Sequence, residues 1–157
     1  MDILVLDNVI DDIDEYVNEI LNGSFIDVPD GEYVFKGIQP RGNDSLSIVL
    51  NNLFPDYTIN YNFIRQSPKG QIEPNFIHTD EMMGDKTAIL YLNKKEYTND
   101  GTTLYDNDSN PLLVVNAKYN RLFVFDAIVH HSRNIYENFG EGDDARLVQV
   151  VFMKSNK

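Results

Sequence analysis

Apolar and polar positions follow two rhythms along the chain, and the change falls near Tyr57. The opening stretch MDILVLDNV alternates with a period of two and predicts a short strand. In DNVIDDIDEYVNEILNGS, by contrast, Ile10, Ile13, Val17, Ile20 and Leu21 recur at three- and four-residue intervals, the spacing of one helical face. Acidic residues crowd its first turns, where the helix dipole favours them, and Asn22-Gly23 offers a left-handed stop. A second, shorter helix is predicted over DSLSIVLNNLF, ended by Pro55.

From YTINYNFIRQ onward, short runs rich in Val, Ile, Tyr, Phe and Thr are separated by SPKG, MMGDK, YTNDGT, DNDSNP and NFGEGDD, all turn chemistry. Strands are expected near 57–66, 74–79, 87–93, 102–106, 111–115, 121–126, 129–135 and 146–153. Many short strands with turn signals between them predict a sandwich or barrel. No internal repeat, linker or low-complexity segment interrupts the chain. The expectation is a mainly β protein forming one domain over 1–157, with a helical N-terminal region at 1–56 and a β core at 57–153.

Length and composition narrow the functional classes. A chain of 157 residues suffices for one domain with a real core. The net charge of −12, from 25 acidic and 13 basic residues, repels nucleic-acid backbones and anionic membranes. It also serves solubility. There is no cysteine, so disulfides and thiolate chemistry are excluded. The start lacks the pattern of a signal peptide, and no apolar run reaches the length of a membrane span. A cytoplasmic location is the expectation.

The chain has three histidines: His78, in PNFIHTDEMMGDKTAILYLN, and the adjacent His130 and His131, in FDAIVHHSRN. On a strand, residues two apart share a face about 6–7 Å from one another, so His78 and Asp80 can offer a nitrogen and an oxygen to one metal. A third ligand has to come from elsewhere, and only the paired histidines remain. Two histidines and one carboxylate on one side of a metal is the arrangement of non-haem Fe(II) oxygenases. Aspartate is common here, so the His-x-Asp spacing has weight only in this context. Arg146 is the next unusual position. In ARLVQVVFMK it shares a strand face with Val148, Val150 and Phe152, while Leu147, Val151 and Met153 make the other face apolar too. An arginine there needs an anion. Its planar fork suits a carboxylate of a ligand; an internal salt bridge to Glu73 or Asp126, or a side chain reaching the rim, meets the same need.

Taken in order, HTD, TAILYLN, DGTTLY, NRLFVFDAIVHHS and RLVQVVFM resemble the Fe(II)- and 2-oxoglutarate-dependent dioxygenase superfamily, most of all its compact prolyl-hydroxylase-like members. The likeness spans residues of about 57 to 153. It implies a double-stranded β-helix, a jelly-roll sandwich with the N-terminal helices packed outside. It implies Fe(II) held by His78, Asp80 and a distal histidine, 2-oxoglutarate as cosubstrate with its far carboxylate on Arg146, and O2. Alternation does not choose between His130 and His131, because a bend is expected between Phe125 and Val129; the resemblance, counting six residues from Phe125, chooses His131. Tyr91 and Tyr61 lie on strands that can line the cosubstrate pocket, with packing in the core or at the rim the commoner fate for such residues; Arg133, two after His131, can meet substrate or form an exposed salt bridge. Two departures stand out: Asp100-Gly101-Thr102 replaces the usual paired glycines, and YENFGEGDDA lengthens the gap before Arg146.

The activity so implied is hydroxylation of an unactivated C–H bond in an amino-acid, peptidyl or other small-molecule substrate, with succinate and CO2 as coproducts. A cupin-like metal- or sugar-binding barrel without redox catalysis is the alternative, since HHSRN contains His-x-x-x-Asn. The paired histidines and glutamate of the first cupin motif are missing.

Overall fold

The computed structural model describes residues 2–68, 76–97, 99–134 and 142–157. Its elements are β1 (Ile3–Asp7), α1 (Ile13–Leu21), β2 (Ile26–Asp30), β3 (Tyr33–Pro40), α2 (Ser45–Leu53) and β4 (Tyr57–Ser67), followed by β5 (Lys86–Tyr91), β6 (Gly101–Tyr105), β7 (Pro111–Asn116), β8 (Arg121–Asp126), β9 (His130–Arg133) and β10 (Arg146–Ser155). Seven strands form a major sheet in the order β1-β8-β5-β10-β4-β3-β2, and three form a minor sheet in the order β7-β6-β9. The strand pairings are antiparallel. The two sheets make a jelly-roll sandwich, as expected, with the helices on the outer face of the major sheet.

Two cores follow from the period-two alternation of the central strands. Ala88, Leu90, Leu122, Val124, Leu147, Val151 and Met153 face the helices and pack with Tyr16, Ile20, Leu46 and Leu50. Ile89, Tyr91, Phe123, Phe125 and Val148 face inward, toward Leu104 and Val115 of the minor sheet. Because β5, β8 and β10 are buried on both faces, their sequences read as nearly unbroken apolar runs. Each fully buried leucine among them contributes roughly 1.5–3 kcal/mol relative to an exposed one.

One polar cluster interrupts the helix-side core and locks its geometry. Gln149 on β10 is fully buried. Its amide donates to Asn62 Oδ1 at 2.7 Å and to Asp44 Oδ2 at 2.9 Å, and its Oε1 accepts from the Tyr16 hydroxyl at 2.6 Å. Asp44 also caps α2, accepting from the Ser47 amide at 3.1 Å, and takes the Arg41 Nε at 3.0 Å. Both helices are thereby fastened to the middle of the major sheet.

The structure corrects the expected layout at three places. The N-terminal region is not only helical: besides β1 it supplies β2 and β3, an edge hairpin of the major sheet. Every residue of β2 is exposed and a bulge separates Ile26 from Val28, so no apolar alternation marks it. Asn22 closes α1 in ordinary right-handed geometry, φ −82°, not in a left-handed stop. A Cβ at Gly23 would instead displace the end of the Gln39 side chain, whose amide donates to the Ile20 carbonyl at 2.9 Å. Finally, the strand expected at 74–79 is reduced over its described part, 76–79, to one bridge between His78 and His131; positions 74 and 75 lie outside the described residues. Most of the lengthened segment before Arg146 lies outside them as well. No described helix is long and apolar enough to cross a membrane.

Replacing Gln149 by Leu keeps the volume but takes the donor from Asn62 Oδ1 and one partner each from Tyr16 and Asp44, which retain their mutual hydrogen bond. The expected loss is about 1–3 kcal/mol of unfolding free energy, measured by urea denaturation at neutral pH.

Candidate active site

The single bridge at His78 joins two distant parts of the chain. His78 N–H donates to the His131 carbonyl at 3.0 Å, and His131 N–H returns the bond at 2.9 Å. Two residues on, the Asp80 amide donates to the Ala127 carbonyl at 2.8 Å, in the turn where the chain leaves β8 for the minor sheet. This turn is the bend expected between Phe125 and Val129. The backbone thus brings together His78, Asp80 and His131, one ligand atom from each lying within 4.8 Å of the others. His130 is outside this cluster, pairing with Tyr105 on β6.

Both imidazoles are oriented by the carbonyl two residues earlier. His78 Nδ1 lies 2.9 Å from the Phe76 carbonyl, and His131 Nδ1 2.9 Å from that of Val129. A carbonyl only accepts, so each Nδ1 carries a proton and donates it. Each Nε2 then faces the Asp80 carboxylate, at 3.5 Å for His78 and 3.0 Å for His131. Asp80 is steadied from behind by the Thr87 hydroxyl, which donates to Oδ2 at 2.9 Å. Three acceptors therefore converge on one point. Such a set requires a positive centre, either protons on the imidazoles or a metal ion, and the nitrogen–oxygen composition suits a first-row divalent metal.

The charges respond accordingly. Burial opposes the ionised form of Asp80, but hydrogen bonds from His131 and His78, the charge on His131 and the Thr87 hydroxyl together hold the carboxyl well below the usual range. The hydrogen bond to Asp80 raises the His78 pKa, partly offset by burial and reinforced by the Phe76 carbonyl.

The cluster opens into a cavity of about 360 Å³ between the sheets. Its wall includes Ile89 of β5, Val148, Val150 and Phe152 of β10, Phe63 of β4 and Phe35 of β3. Arg146 lines it, as expected, but with an internal partner: its Nε lies 3.4 Å from Asp100 Oδ1, and both side chains are buried. Asp126 does not fill that place, since it pairs with Lys86 at 2.9 Å, and Glu73 lies outside the described residues. Arg133 also lines the cavity.

The two expected tyrosines are placed differently. Tyr91 is buried behind the wall, and its hydroxyl meets Thr102 Oγ1 at 2.7 Å; Thr102 is the group that reaches the cavity. Burial pushes the Tyr91 phenol up to about 12, against the Thr102 hydrogen bond and the positive charge of Arg146. Tyr61 does not line the cavity. It sits beside the bulge of β4, half-exposed, with its ring edge-on to Phe152 at 6.3 Å.

Arg65 was not singled out from the sequence. It faces the cavity two residues after Phe63, with its Nε donating to the Lys36 carbonyl at 3.1 Å and its guanidinium 5.2 Å from the Phe35 ring centre. The period-two continuation of β4 from Phe63 was the available signal. Burial, then the like charge of Arg146, lowers its pKa to about 10, which leaves it protonated at neutral pH.

No family model matches the chain, and no curated protein matches it in sequence. Solved structures do match. A prolyl hydroxylase from Trichoplax adhaerens, in complex with a hypoxia inducible factor oxygen degradation domain peptide fragment, is similar over 96% of this chain and 82% of its own, at 17% identity and a TM-score of 0.71. A Pseudomonas putida prolyl-4-hydroxylase is similar over 95% of this chain and 90% of its own, at 17% identity and a TM-score of 0.64. The epimerase SnoN, in complex with Fe3+, alpha ketoglutarate and nogalamycin RO, is similar over 96% and 78%, at 11% identity and a TM-score of 0.62. The chain thus has the jelly-roll architecture found in these oxygenases.

In the metal-free protein, the His78 ring is expected to titrate above an ordinary imidazole, and Asp80→Asn to remove most of the rise, as read from the imidazole C–H resonances by NMR. Because the folded pKa is the higher one, the stability His78 contributes is present below the unfolded value and lost as pH rises through the folded value. Asp80 works in the opposite sense: its contribution is present above the ordinary carboxyl value and lost as pH falls.

Proposed function

We propose that the chain is an Fe(II)- and 2-oxoglutarate-dependent oxygenase that hydroxylates an unactivated C–H bond, with succinate and CO2 as coproducts. The observation that carries this reading is the convergence of His78 Nε2, His131 Nε2 and the Asp80 carboxylate at the wall of a cavity that also holds Arg146. His78, Asp80 and His131 would hold the iron, and Arg146 the far carboxylate of 2-oxoglutarate. Iron and cosubstrate, when bound, supply the activation of O2 by which one substrate C–H bond is oxidised.

The chain's own residues contribute placement and exclusion. The Phe76 and Val129 carbonyls fix both imidazole tautomers, so each Nε2 offers its lone pair without reorganisation. Thr87 restrains the rotation of Asp80. Tyr91 fixes the Thr102 hydroxyl, which lines the same cavity as Arg146. The phenylalanines of β3, β4 and β10 give apolar walls to the cavity into which the metal ligands open, and would limit water where a substrate C–H group would sit.

One neighbour is in complex with a peptide fragment and another with nogalamycin RO, which supports an amino-acid, peptidyl or other small-molecule substrate. The acidic surplus speaks against a nucleic acid.

Release of succinate from 2-oxoglutarate is expected to need Fe(II), to stop on chelation, and to vanish in Asp80→Ala while the far-UV circular dichroism is kept. Full turnover in that variant would overturn the metal assignment. In Arg146→Ala, iron binding should persist while the 2-oxoglutarate requirement rises on the order of tenfold to a hundredfold, the worth of a charge-assisted bond of about 1.5–3 kcal/mol. A loss of iron with unchanged cosubstrate affinity would make Arg146 a purely structural residue.

A further inference from the structure

The Asp100–Arg146 pair does not have the form of a contact that exists only to neutralise two charges. Both side chains are more than nine-tenths buried, at 3% and 5% exposure, yet they meet through one long contact from Arg146 Nε to Asp100 Oδ1. A strong guanidinium–carboxylate pair takes two parallel hydrogen bonds. Arg121 and Asp7 show that form in this same protein, with Nε to Oδ1 at 2.7 Å and Nη2 to Oδ2 at 3.1 Å. Arg146 instead lines the cavity and leaves its two terminal nitrogens without a hydrogen-bond partner among the described residues.

We infer that Asp100 is a positioning residue for Arg146 and a built-in competitor of the cosubstrate. It grips the guanidinium by the Nε edge and leaves the Nη edge for the far carboxylate of 2-oxoglutarate. Its own negative charge lowers the affinity of that edge. This rests on the proposed reading of the site.

Asp100 cannot easily yield its place. Its amide donates to the Tyr97 carbonyl at 3.1 Å, and its carbonyl accepts from the Ala117 amide at 2.8 Å. The next residue, Gly101, has φ +142° and lies so close to the Val115 carbonyl that a Cβ would not fit. The carboxylate is therefore presented by a clamped backbone. A second, independent feature stands next to Arg146 across the strand pair. Ser67 is the register partner of Arg146, so the two side chains share a face. Its hydroxyl is buried with no partner among the described residues. A carboxylate arriving at the Nη edge would give Ser67 and Arg146 an acceptor together. It would also bring a second negative charge close to that of Asp100, across one guanidinium, in a poorly screened interior.

The test compares equilibrium binding of 2-oxoglutarate with that of 2-oxopentanoate, a 2-oxo acid of the same length without the far carboxylate. Each is titrated anaerobically into the Fe(II)-loaded full chain and followed by its visible charge-transfer band. Asp100→Asn keeps an acceptor for Nε but removes the charge. It is expected to bind 2-oxoglutarate on the order of tenfold more tightly and 2-oxopentanoate as the wild type does. Asp100→Glu carries the charge further toward the Nη edge and is expected to weaken 2-oxoglutarate binding alone; it decides the matter if Asp100→Asn does not fold. Unchanged or weaker 2-oxoglutarate binding in folded Asp100→Asn, equal tightening toward both acids, or wild-type binding in Asp100→Glu overturns the inference while leaving the cosubstrate assignment standing. A wild-type protein that binds iron but no 2-oxoglutarate overturns both.

Discussion

Burial of β10 on both faces is the constraint on which the rest of the structure depends. The strand lies at the centre of the major sheet, paired along its length with β4 and over much of it with β5. Arg146, Val148, Val150 and Phe152 point into the cavity, while Leu147, Gln149, Val151 and Met153 point toward the helices. A slip of one residue would exchange the two sets. It would drive a guanidinium into the leucine-rich layer and pull Gln149 away from Tyr16, Asp44 and Asn62. The fully buried Gln149 thus acts as a registration mark, and the position of Arg146 follows from it.

The cavity is made electrostatically unlike the protein around it. A chain with a net charge of −12 lines its central space with Arg65, Arg133 and Arg146. At the other end, Asp80 is kept ionised against the cost of burial by groups that are themselves fixed to backbone carbonyls. The two ends therefore differ in kind. One is a point where acceptors converge and a cation is wanted; the other is a point where guanidinium groups gather and an anion is favoured.

Much of this was legible from residue patterns, for identifiable reasons. The strands from Tyr57 onward were visible because turn residues separate them and because inner strands are apolar on both faces. α1 and α2 were visible from helical spacing. The β2–β3 hairpin was not, since an exposed edge strand with Pro29 and a bulge carries no alternation. At the site, His78 and Asp80 come together through one bridge and a turn, so the strand geometry that suggested them was right in outcome and wrong in detail. Asp100 was noticed as a departure from paired glycines, but its partner was invisible: the contact joins positions separated by 46 residues through packing of two sheets. Tyr61 shows the limit of alternation, because it stays in register opposite the cavity residue Phe152 yet is half-exposed and does not line the cavity.

The reciprocal backbone bonds between His78 and His131 also bear on how the chain is held together. This protein has no cysteine and hence no disulfide, yet it ties two positions some fifty residues apart at one spot. An ion gripped by side chains from both would close that long loop as a staple does. By the entropy of loop closure, a cross-link of such length removes on the order of 4 kcal/mol of freedom from the unfolded chain. The metal centre would then be the fastening of the sandwich as well as its reactive point, and a protein stripped of its ion would be a looser one.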